Sequence, residues 1–147
     1  MLEVAGQEVP SVSDDKPNIE RNRAIALKVN ESLGQVDDET YLAYYNEHPT
    51  WHVNRTAHEG RDALRRLNLV SRTVFPHGIE REIHSVVAEG DRVMIQHANR
   101  AITAAGRDYE NEYVKIFRFD REGKICEVWE YLDSRYAAEV LSPDLDA

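Results

Sequence analysis

Three stretches of the chain set groups that can move or hold protons among apolar neighbours. In "KICEVWEYLD", residues 124–133, strand alternation puts Cys126, Val128, Glu130 and Leu132 on one face and Ile125, Glu127, Trp129 and Tyr131 on the other. The first face is apolar apart from Glu130, and a carboxylate there is costly unless it is paired or protonated. In "DRVMIQHANRAIT" the same alternation aligns Val93, Ile95, His97, Asn99 and Ala101. Burial raises the pKa of a carboxyl and a neighbouring imidazolium lowers it, so Glu130 and His97 together would be tuned for proton transfer near neutrality. They are the candidate catalytic residues, expected to titrate as a coupled pair. A Glu and a His that merely satisfy each other, or backbone groups, inside a core would give the same pattern. A bulge in the second stretch would turn Gln96 and Ala98 inward in place of His97 and Asn99.

The third stretch, "DYENEYVKIFRFD", alternates Lys115 with Tyr113 and Phe117. A lysine on such a face either snorkels to solvent or, in a pocket, holds a substrate oxygen or an enolate. "TWHVN" adds Trp51, His52 and Asn54. The candidate substrate-binding residues are therefore His52, Asn99, Lys115, Asn54, Tyr113 and Trp51. The six histidines show no paired ligand spacing with acidic partners, so no metal is expected. Cys126, the single cysteine, cannot form an internal disulfide.

The elements that must position these residues read as helices first and strands after. Residues 1–17 are polar, acidic and broken by Pro10 and Pro17, which reads as a flexible tail. A helix follows through Ile25, Leu27, Val29, Ser32 and Leu33, with Gly34 as its stop. A short second helix is capped by Asp37 or Asp38 and ended by Pro49, and "TWHVNRTAH" reads as a short strand followed by a loop. Helical spacing resumes through Leu64, Leu67, Val70, Val74 and Phe75, up to Pro76 and Gly78. From there alternating runs are separated by turn signals at residues 89–91, 105–106 and 121–123, with a last short helix in "SRYAAEVL". This order gives an α+β fold: an antiparallel sheet curled over about three helices, in one domain spanning 18–141, with 142–147 as a C-terminal tail.

With 147 residues the chain has length for a single core, and its 31% charged and 41% hydrophobic residues are ordinary for a globular protein. The net charge of −9 argues against nucleic acid as a partner. No apolar run reaches membrane-span length, the start lacks a signal-peptide pattern, and a cytoplasmic location is expected. No Gly-rich phosphate loop, HExxH or GxSxG occurs, so no cofactor is expected. Ile125, Trp129 and Tyr131, beside Val114 and Ile116, would form an apolar outer sheet face suited to a homodimer.

The helix start "HEGRDALRRL", the strand "EGDRVMIQHA" and the closing hairpin "YENEYVKIFRFDREGKICEVWEYLD" resemble the nuclear transport factor 2-like superfamily, in its SnoaL-like and ketosteroid-isomerase-like branch. The resemblance covers about residues 20–140 and implies a cone-shaped fold whose concave sheet face and helices enclose an apolar pocket. It sets Glu130 on the pocket wall, where the similar limonene epoxide hydrolase keeps a carboxylate that activates water. His97 and Asn99 stand where that enzyme has an Arg and an Asp, and His52 where it has a water-holding amide. Lys115 and Trp51 stand where ketosteroid isomerase keeps a protonated Asp and its base. The resemblance thus implies a cofactor-free acid/base enzyme, a cyclase, isomerase or dehydratase, acting on a small apolar oxygenated metabolite of polyketide, terpenoid or steroid type. A non-catalytic ligand-binding or assembly domain and an epoxide hydrolase are the alternatives.

Overall fold

The computed structural model describes residues 17–145. The tail reading for residues 1–16 lies outside them. Helices α1 (Ile19–Ser32) and α2 (Asp38–Leu42) come first, followed by strands β1 (Tyr45–Val53) and β2 (Thr56–Glu59) and helix α3 (Arg61–Val74). Strands β3 (Glu80–Glu89), β4 (Arg92–Ile102), β5 (Asp108–Phe119) and β6 (Ile125–Leu132) then run to helix α4 (Ser134–Leu145). The last helix therefore continues past residue 141, where the sequence pattern ends the domain. The six strands form one curved, unclosed sheet in the order β2-β1-β6-β5-β4-β3. All pairings are antiparallel except β1 with β6, which is parallel and makes the sheet mixed.

Asn18 caps α1 by accepting from the Arg21 amide, and Asp37 caps α2 by accepting from the Thr40 amide. The buried residues of α1 are Asn22, Ala26, Val29 and Asn30; of the expected stripe Val29 is buried in the helix and Leu33 at its cap, while Ile25 and Leu27 are half-buried. Residues four and three apart fall on one face, and this face carries two amides. In α3 the buried residues are Ala63, Leu64, Asn68 and Val74, while Leu69 and Val70 are exposed. Asn68 joins α3 to the α1–α2 turn: its Oδ1 accepts from the Gly34 amide at 2.8 Å and its Nδ2 donates to the Val36 carbonyl and to Asp38. Gly34 has φ +78°, and a Cβ there would stand 2.8 Å from the Ser71 Cβ, so this crossing requires glycine.

Pro49 lies inside β1 and does not end α2. It stands where the pairing with β6 shifts register between Tyr45 and Thr50, a place where a missing N–H breaks no ladder bond. "TWHVNRTAH" is the β1–β2 hairpin and not a strand and a loop. The main core joins Ala26, Val29, Trp51, Val93, Ile95, Phe117, Ile125 and Val128, and a second cluster joins Val74, Phe75, Ile79, Tyr109 and Tyr113 under α4. Two irregularities decide which residues face that core. In β3, Ile83 pairs with His97 but Ser85 with Gln96, so His84 is a bulge and Arg81 turns inward. In β6, Ile125 pairs with Phe119 but Glu127 with Arg118, so Cys126 is the extra residue and Ile125 is fully buried in the core, off the outer face to which alternation assigns it.

Candidate active site

β4 carries no bulge in its pairing with β5, and Val93, Ile95, His97 and Asn99 all face inward while Gln96 is exposed and bonds to Ser85. β5 contributes Tyr113, Lys115 and Phe117 to the same face, and Lys115 is the register partner of both Ile95 and Glu130. β1 adds Trp51, α1 adds Asn30 and the turned β3 adds Arg81.

Glu130 is 8% exposed. Its Oε2 accepts from Trp51 Nε1 at 3.2 Å, and its Oε1 lies 3.8 Å from Lys115 Nζ, an ion pair without a hydrogen bond. Lys115, 1% exposed, donates one hydrogen bond, 2.9 Å to Asn30 Oδ1. The ammonium also lies 5.6 Å from the centre of the Trp51 ring and 5.8 Å from that of Tyr113. Burial pushes its pKa down to about 8, with the Arg81 charge acting the same way and Glu130 opposing both.

The partner of Glu130 is thus Lys115 and not His97, so the expected carboxylate–imidazole dyad is corrected. His97 is fully buried and stacks on Tyr113 at 5.1 Å between ring centres. Burial, with the charges of Lys115 and Arg81, pushes its pKa down to about 3, offset only in small part by Asn99 and the Ala98 backbone. The ring is neutral at physiological pH. Both of its nitrogens, Asn99 Oδ1, Asn30 Nδ2 and Arg81 Nε are buried without a protein hydrogen-bond partner. Buried polar atoms in this state are rare, and five of them across two strands and a helix provide ready donors and acceptors for a polar guest.

Two of the candidate binding residues belong elsewhere. His52 follows Trp51 by one residue and therefore points to the opposite face, where its Nε2 meets Glu127 Oε2 at 2.6 Å and its ring stacks on Trp129. Asn54 sits at the hairpin turn with φ 49°, and its amide is taken up by the Leu132 backbone, donating to the carbonyl and accepting from the N–H. It fixes the end of β6 beside Glu130 without presenting its side chain to the inner face. Tyr113 and Asn99 stay on the inner face; the Tyr113 hydroxyl is 2.5 Å from that of Tyr109, which also accepts from Asn111.

Asn30, Arg81 and Tyr109 are site residues that alternation and helical spacing did not single out. Arg81 was hidden by the His84 bulge. Asn30 was legible as one of two amides on the face that also holds Ala26 and Val29.

The sequence profile of the SnoaL-like domain matches residues 27–128. Among curated proteins nothing matches the chain. Among solved structures, a proposed SnoaL-like polyketide cyclase from Jannaschia sp. CCS1 superposes with a TM-score of 0.73 at 19% identity, covering 93% of this chain and 98% of its own. SalBIII, an epoxide hydrolase/cyclase-like enzyme of pyran ring formation in the polyether salinomycin, superposes with a TM-score of 0.70 at 18% identity, covering 80% and 95%. A limonene-epoxide-hydrolase-like enzyme from M. tuberculosis gives 0.66 at 20%, covering 89% and 96%. At these identities the structures share the fold. With its profile match spanning more than half of its length, the chain belongs to the SnoaL-like family, and its fold is nuclear transport factor 2-like.

Proposed function

We propose that the chain is a cofactor-free acid/base enzyme that cyclises, isomerises or dehydrates a small, largely apolar oxygenated molecule of polyketide, terpenoid or steroid type. The observation that carries this reading is the Glu130 carboxylate, buried on the inner sheet face beside Trp51 and Lys115, on a wall that also holds buried polar atoms without partners. Each of the three reactions removes one proton and returns one. Glu130 takes the proton, because a carboxylate with one hydrogen bond per oxygen at most keeps lone pairs free. Neutral His97 and Asn99 orient substrate oxygens, and Lys115 and Arg81 stabilise the oxyanion or enolate that forms. The named relatives, a proposed polyketide cyclase and an enzyme of pyran ring formation, support a ring-forming reaction on such a molecule. Epoxide opening is less well supported, since His97 and Asn99 replace the charged pair that the resemblance associates with it.

The second reading, a ligand-binding domain without turnover, is favoured by one observation: the Glu130 charge is already balanced by Lys115. A panel of cyclic ketones in deuterated water separates the two. The enzyme reading predicts deuterium uptake at the carbon beside the carbonyl, followed by mass spectrometry, for the ketones that raise the melting temperature. Binding of several ketones with no uptake from any would leave only the binding domain.

The outer sheet face supports a homodimer. Val87, Met94, Ile116 and Trp129 follow one another across four strands by register, and Val114 and Tyr131 lie in the next row. A second copy packed on this face would cover them, with its cone opening away from the interface.

A further inference from the structure

We propose that Lys115 is a covalent nucleophile: it condenses with the carbonyl of the substrate to form an iminium ion that serves as the electron sink for the proton transfer. This rests on the acid/base reading above and names the substrate class more closely, as a ketone or aldehyde.

The geometry is that of an amine held ready and poorly satisfied as an ammonium. Lys115 has three protons to donate, yet it makes a single hydrogen bond, to a neutral amide. Its carboxylate partner is 3.8 Å away, and aromatic rings take two of its sides. A salt bridge built for stability would place Glu130 in direct hydrogen-bond contact, because two buried charges recover their desolvation cost only with close geometry. The charged groups acting on Lys115 are Glu130 and Glu31, which favour the ammonium, and Arg81, which disfavours it; neutral His97 and Tyr113 complete the surroundings. With burial dominant, a usable fraction of free amine exists near neutral pH.

The step balances within the pair. The proton of the ammonium passes to Glu130, and the amine lone pair attacks the carbonyl carbon. The carbonyl π pair moves to oxygen, which takes the proton back from Glu130. Glu130 next removes the second amine proton and returns it to the departing hydroxyl, which leaves as water and gives the iminium. That cation faces the Glu130 carboxylate in place of the original ammonium. Glu130 can then remove the proton from the adjacent carbon to give an enamine and return a proton to carbon, which regenerates the iminium; its hydrolysis by one water releases the carbonyl compound and restores the lysine ammonium. Asn30, whose Nδ2 is buried without a partner, is placed to donate to the carbinolamine oxygen.

The test uses cyclohexanone with sodium cyanoborohydride, which delivers hydride to an iminium carbon and fixes the adduct as a secondary amine. At pH 7 the peptide containing Lys115 should gain the cyclohexyl mass at least tenfold faster than those containing the exposed Lys28 and Lys124. The substitution Lys115→Arg keeps the charge and cannot form the adduct; Lys115→Met is a second variant should the arginine not fold, with circular dichroism as the check on both. Deuterium uptake by cyclohexanone, followed in parallel, should fall at least a hundredfold in the variant that folds. Modification of Lys28 and Lys124 with Lys115 unmodified would overturn the proposal. Uptake that depends on Glu130 but persists in Lys115→Arg would also overturn it while leaving Glu130 as a general base. Modification of Lys115 without any uptake would uphold the covalent site and remove the proton-transfer reading instead.

Discussion

At the scale of single residues the site depends on which ionisable groups are charged, and burial decides this more than proximity does. His97 has two unpartnered nitrogens and two cationic neighbours, so it stays neutral where an exposed histidine would protonate. Its folded pKa of about 3 lies below the unfolded value, so the unfolded chain binds the proton first as the pH falls. The stability this histidine contributes is therefore complete above pH ~6.5 and is lost progressively toward pH ~3. Between pH 6.5 and 5 the loss should be roughly 2 kcal/mol. Urea unfolding at the two pH values should show that slope in the native chain, and His97→Gln should flatten it. An unchanged slope in the variant would mean that the acid sensitivity arises elsewhere. Lys115 acts in the alkaline range: with its folded pKa lowered to about 8, stability rises with pH between there and its unfolded value.

At the scale of elements, the register of a strand, bulges included, decides which of its residues reach the inner face. The His84 bulge is what brings Arg81 to the inner face, where its guanidinium donates to the Glu31 and Leu33 carbonyls and so caps α1 from inside the cone. Arg81→Gln should cost about 1–3 kcal/mol, read as a lower urea midpoint, because the last carbonyls of α1 lose their donors in a partly buried place. A midpoint equal to that of the native chain would show that the cap carries no net stability. These bulges also mark how far the sequence is legible. Alternation placed His97, Asn99, Lys115 and Glu130 on inner faces because β4 pairs without interruption and the bulge in β6 precedes Glu130. It failed for Ile125, and gave no sign of Arg81, because one extra residue reverses parity and leaves no mark in composition. The Trp51 face was legible and the His52 role was not. Neighbouring strand residues point to opposite faces, and only Trp51 could reach Glu130.

At the scale of the whole molecule the sheet has two faces, an inner one studded with buried polar groups and an outer one where apolar rows run beside charged and polar residues. The outer rows centre on Trp129, flanked by the Arg92 guanidinium 4.9 Å from its ring centre. Light scattering should give twice the chain mass for the native protein and the chain mass for Val114→Glu, since a carboxylate there, between Gln96 and Tyr131, would be buried between two copies without a cation opposite it. A dimer persisting in that variant would place the interface elsewhere. Among the described residues no helix is long and apolar enough to cross a membrane. The claim on which the functional reading stands is that Glu130 moves the proton, and one comparison tests it most directly. Deuterium uptake into a bound cyclic ketone is measured for the native chain and for Glu130→Gln, which is close in shape, with ketone binding measured alongside. The account predicts that the variant binds the ketone within a few-fold of the native affinity and exchanges on the order of a hundredfold more slowly. Equal exchange rates in the two proteins would contradict it.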